Sequence, residues 1–228
     1  MLRCPISNVR CQADGFARNL GEFQASAFAS REDLVVSYKD VMPIERLLEQ
    51  CRNEYQVYLR KAVSAERLKH PNLVTELAMR INGDNWDERL LLVRIDMVWG
   101  DPDKPELMNA ESHPVEVRVG EVALESVIGD MPVVLTKFRW DYCAVSLHPV
   151  PDSWLPIWQW FDSWFDPDGR HQPDDDGFEG VIHAISQPEF DADGNTDFIV
   201  DFGSAPSTCV TELIESCSRA GVREMILT

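Results

Sequence analysis

Residues 180–227 read GVIHAISQPEFDADGNTDFIVDFGSAPSTCVTELIESCSRAGVREMIL, and this stretch decides the fold class. The segments GVIHAIS (180–186) and TDFIVDF (196–202) flank a turn rich in Asp, Gly and Asn, which is the composition of a β-hairpin. The segment 204–221 carries apolar residues at helical spacing, with Ser204 or Ser207 placed to cap its start and Gly221 to end it. VREMIL (222–227) then reads as a closing strand. A β-β-α-β order predicts an α+β protein, with a mixed α/β sheet as the alternative, built on a mainly antiparallel central sheet with packed helices.

Working outward, Ile44, Leu47, Leu48, Cys51, Tyr55, Tyr58, Leu59 and Ala62 recur at three- and four-residue spacing, predicting a helix from about Pro43. After a break at His70-Pro71-Asn72, the spacing of Leu73, Leu77 and Ile81 predicts a second helical stretch. Strands are expected at 33–40, 89–99, 114–120, 132–140 and 142–150, with a loop over 100–114. No internal repeat appears. The expectation is a single compact domain over 1–228, with 1–100 and 114–228 as possible sub-lobes joined by that loop.

Residues 153–165 put Trp154, Ile157, Trp158, Phe161, Trp164 and Phe165 on one helical face, expected to pack inward. Trp160 lies off that stripe and is expected to project outward. The following segment, DPDGRHQPDDDG (166–177), has the Pro, Gly and Asp content of an exposed, mobile loop.

Charge is the strongest global feature. Thirty-nine acidic residues against 21 basic give a net charge of −18, and 13 of the acidic residues fall within 151–202 beside a single basic one, Arg170. Nucleic-acid binding needs a basic footprint, so nucleic acid is not an expected partner. No apolar run is long enough for a membrane helix, and the first residues lack the apolar segment of a secretory signal, which makes the cytoplasm the expected location. The six cysteines form no CxxC pair, so no zinc site is expected and the thiols should be reduced.

Candidate chemistry is sparse. EFDADGNTD (189–197) mimics a calcium loop through Glu189, Asp191, Asp193, Asp197 and Gly194, but Val200 stands where the closing bidentate carboxylate belongs. An Asp-Gly turn between strands explains the same residues. His183 lies in an apolar strand, as a core histidine does, and His171 lies among carboxylates that should raise its pKa. GxSxG, SxxK, HExxH, GxGxxG and GxxxxGK are all absent, and Val200–Pro206 reads as a strand-to-helix junction with a capping serine. No catalytic residues and no cofactor are expected.

These observations point to a non-enzymatic module that binds a basic protein through Trp160, Asp162, Asp166, Asp168, His171, Asp174, Asp175, Asp176 and Glu179. In profile it is similar to bacterial immunity or antitoxin-type proteins that neutralise a cationic toxin such as a nuclease, whose phosphate-holding site an acidic surface would imitate. The alternatives are a divergent hydrolase or metal-dependent enzyme built from His171, His183 and Asp174–Asp176, and a scaffold that self-associates through exposed aromatics.

Overall fold

The computed structural model describes residues 43–110, 115–116, 118–119 and 122–228. The strand expected at 33–40 lies outside them. Helix α1 (Ile44–Lys69) begins behind Pro43, where a missing N–H costs nothing, and buries Leu47, Leu48, Cys51, Tyr55, Leu59 and Val63 along one face. It ends at His70, ahead of Pro71.

The second helical stretch expected after it is instead β1 (Val74–Arg80). It pairs antiparallel with β2 (Leu92–Asp101), Val74 opposite Val98 and Arg80 opposite Leu92. A seven-residue segment supplies no tertiary partner of its own, and cross-strand pairing overrides its helical spacing. The 100–114 segment is also not a plain loop. Residues Lys104–Met108 form β3, which turns back on β2 and completes a three-stranded sheet in the order β1-β2-β3.

The expected strand at 114–120 is present as two short pieces, β4 (Val115–Glu116) and β5 (Arg118–Val119). A hairpin of β6 (Val122–Ile128) and β7 (Met131–Leu135) follows, then β8 (Lys137–Phe138), which pairs with β4, and β9 (Cys143–His148). Helix α2 (Leu155–Phe165) starts with Pro156 in its first turn. Beyond it come β10 (Ala184–Ile185), β11 (Glu189–Phe190), β12 (Thr196–Asp201), α3 (Thr208–Arg219) and β13 (Glu224–Leu227).

The eight-stranded sheet runs β10-β12-β9-β13-β7-β6-β5, with β11 also on β12. Among the described residues only the β13–β7 pair is parallel; the other pairs are antiparallel, and the fold is α+β. The C-terminal β-β-α-β order holds, although just two residues of the 180–186 segment join the ladder. Of the two serines expected to cap α3, Ser207 stands at the N-cap position but its side chain makes no capping bond. It donates to Glu49 instead, while Ser204 Oγ accepts the N–H groups of Gly180 and Val181.

Trp160 corrects the clearest expectation about the aromatic helix. It is 3% exposed, and its indole N–H donates to the Cys209 carbonyl at 2.8 Å. Helix α3 packs along that flank while Trp154 meets Phe198 of the sheet, so α2 is covered on two sides and its off-stripe tryptophan is core.

Candidate functional site

Two acidic regions and one buried polar cluster hold the chemistry. The first region is the segment after α2, which is tied down and not free. Asp166, at the C-terminal end of α2, adopts a left-handed conformation (φ 50°) and is fully buried. Its carboxylate accepts the His171 N–H at 2.7 Å and Arg170 Nε at 3.2 Å, and these bonds hold it ionised, below the usual carboxylate range, against the opposing effect of burial.

Asp174 and Asp176 both pair with Arg60 of α1, and Arg67 donates to the Asp176 carbonyl. Asp174 also accepts the N–H groups of Asp176 and Phe178. Asp162 is held by a forked contact from Arg89, Glu179 pairs with Arg94 at 2.7 Å, and the His171 ring lies 3.2 Å from the Glu179 carbonyl. Of the residues expected to meet a partner here, only Asp168 and Asp175 are exposed carboxylates outside the ion pairs seen among the described residues. Apart from Arg170, which pairs with Asp166 from four positions away, the arginines responsible sit on α1, β2 and the turn before β2, far away in sequence.

The second region is the hairpin β11–β12. Glu189 and Asp197 stand directly opposite each other across the ladder, an arrangement that like charges disfavour. Asp191 caps the turn by accepting the N–H groups of Asp193 and Asn195, and Asp197 accepts Ser146 Oγ. None of these four carboxylates is ion-paired with a described residue. Among the described residues no group of three or more His, Cys, Asp or Glu side chains is arranged to hold a metal ion, so the calcium-like spacing does not become a calcium-like geometry. Between them Phe190 is 57% exposed on the outermost strand.

The buried cluster surrounds His183, which is 1% exposed. Its backbone joins the two sheets: its N–H donates to Asp201 of β12, and its carbonyl accepts from Arg94 of β2, each at 2.8 Å. Nε2 lies 2.8 Å from Glu76 Oε1 and Nδ1 lies 3.0 Å from Asp96 Oδ1, with Asp201 Oδ2 at 3.8 Å. Nδ1 and Asp96 Oδ1 approach as an ion-pair contact, and neither atom makes a hydrogen bond. Glu76 is itself unusual, a non-glycine residue with φ 51° inside a strand, which turns its carboxylate onto His183 and onto the Glu179 N–H.

Arg94 lies beneath this layer and donates to the carbonyls of Glu76, Phe165 and Asp166. Tyr55 places an unpartnered, buried hydroxyl near the same carboxylates, and its pKa is pushed well up by burial and by Asp96 and Asp201. The enzymatic residue set therefore does not assemble as expected: Asp174 and Asp176 face Arg60, while His183 faces Glu76, Asp96 and Asp201. The signal for this cluster was present in RID (94–96), two charges at a two-residue spacing that share one face of an otherwise apolar strand.

The fold and these sites define an acidic α+β protein, and no helix among the described residues is long and apolar enough to cross a membrane. Comparison with protein-family models, with curated proteins and with solved structures finds no match to the chain.

Proposed function

We propose that this chain is a non-enzymatic binding module that captures a basic protein, acting in the cytoplasm as a bacterial immunity or antitoxin-type inhibitor of a cationic toxin such as a nuclease. The observation that carries this reading is the hairpin β11–β12: an exposed phenylalanine bracketed by Glu189, Asp191, Asp193 and Asp197, none of them paired with an arginine or lysine among the described residues. An aromatic anchor inside a ring of carboxylates suits a partner rich in Lys and Arg, because the ring supplies buried area and the charges supply steering. Phe190 takes the place first expected for Trp160. Asp168 and Asp175 add to the same negative field.

The reading is tested with the full chain and a Phe190→Ala, Asp193→Asn, Asp197→Asn variant, each used to capture partners from a lysate of the native host. The unmodified chain retains a basic protein that the variant loses, and the association rate of that pair falls steeply as salt is added. A variant that captures the same partner with undiminished rate and affinity sinks the proposal. A mass that rises with concentration in the absence of any partner favours the scaffold alternative instead.

A further inference from the structure

We propose that His183 is a buried imidazolium that clamps the three-stranded sheet to the eight-stranded sheet, and that losing its proton at alkaline pH opens this junction. A neutral imidazole has one N–H and one lone pair. Here both ring nitrogens face carboxylate oxygens, Glu76 at 2.8 Å and Asp96 at 3.0 Å, so a neutral ring would press its lone pair against one of them in a site from which water is excluded. A second proton removes that repulsion.

The charges around the ring agree. Glu76 from β1, Asp96 from β2 and Asp201 from β12 all turn toward His183, Asp141 adds to the negative field around Asp201, and no other ion pair to Glu76, Asp96 or Asp201 is seen among the described residues. From α1 the only ionisable group facing the cluster is Tyr55, which is held neutral. Burial by itself would depress the histidine pKa, but Asp201, Asp96 and Glu76 raise it well above its ordinary value. Because the ring faces a carboxyl group from each sheet, and its own backbone bonds to Arg94 and Asp201, the proton sits where hydrogen bonds join the two sheets.

The test uses the full chain with 15N-labelled histidine. The ring signals are followed by NMR against pH, and His183 is identified by its absence in His183→Gln or, should that variant not fold, by cross-peaks to the Glu76 side chain. Both ring nitrogens keep protonated shifts past about pH 8, beyond the ordinary histidine value of about 6.5. Asp96→Asn lowers the titration midpoint by about 1–3 pH units. Hydrogen exchange at the Arg94 amide, bonded to the His183 carbonyl, accelerates in step with ring deprotonation. A neutral tautomer at pH 7, a midpoint unmoved by Asp96→Asn, or an Arg94 amide that stays protected after the ring deprotonates would each overturn the proposal.

Discussion

Gly203 offers a direct measure of how firmly the His183 cluster is built. Its φ is +48°, and a Cβ added there would lie on the His183 imidazole, 2.6 Å from Cγ and closer still to Cδ2 and Nε2. Gly194 has φ +81° and nothing within 4 Å of the same position, so it carries the backbone penalty alone. Gly203→Ala adds about 1–2 kcal/mol of left-handed strain. It also forces the ring from Glu76, breaking a charge-assisted bond worth about 1.5–3 kcal/mol. The ring cannot step aside, because Glu76 and Asp96 bracket it and its own peptide is bonded on both sides. The sum, about 2.5–5 kcal/mol, is a large share of the roughly 5–15 kcal/mol that holds a typical domain together. In urea, at a slope near 2 kcal/mol/M, the unfolding midpoint of Gly203→Ala falls by about 2 M, and that of Gly194→Ala, which carries only the strain, by about 0.5–1 M. Tryptophan fluorescence follows both. Equal midpoints for the two variants would show that the ring moves freely, and the account of a rigid cluster would be wrong.

Further outcomes follow from particular contacts. Trp160→Phe loses about 1 kcal/mol with the buried bond to the Cys209 carbonyl, read by denaturation, and leaves partner binding unchanged. Arg60→Ala costs under about 1 kcal/mol, since the pair with Asp174 and Asp176 is a third or more exposed, but hydrogen exchange in the 166–179 segment quickens. Burial holds the Asp201 carboxyl protonated up to about pH 7, although the His183 charge opposes this. The folded state therefore binds a proton that the unfolded chain releases, and this contribution to stability, complete below about pH 4, declines as pH rises toward 7. Asp201→Asn keeps the acceptor for the Gly203 N–H and flattens the stability profile over that window, measured by urea unfolding at successive pH values. Glu76 works in the opposite sense. Burial would raise it, but His183, Ser204 and the Glu179 N–H lower it, so its contribution is lost as pH falls through its depressed value. Cys51, Cys143, Cys209 and Cys217 are buried with thiols pushed up by desolvation, to about 11 for Cys51, so alkylation of these four in the native protein proceeds only at the rate of unfolding, as peptide mass mapping would show.

Several elements were legible from local pattern because their information is local. Helix α1 repeats its apolar residues along 26 positions, and α2 and α3 each carry a continuous stripe. β1 and β3 were not legible, since VTELAMR and KPELM become strands only by pairing with β2. The acidic segment after α2 was legible as charge but not as surface. Arg60, Arg67 and Arg94 reach it from 72 to 116 positions away, Arg89 reaches Asp162 within α2 from 73, and sequence spacing gives no sign of those pairs.

By itself the sequence determined the α+β class, the negative charge and the placement of the three α-helices seen among the described residues, because periodicity and composition act within a few residues. Only the tertiary structure decided which charged groups are buried and which remain free. Trp160 went inside because α3 covers its flank, Phe190 stayed outside on the last strand of an edge, and His183 met Glu76, Asp96 and Asp201 because three strands and a segment distant in sequence converge on one point. Those outcomes rest on long-range contacts, whose energies depend on which surfaces exclude water together.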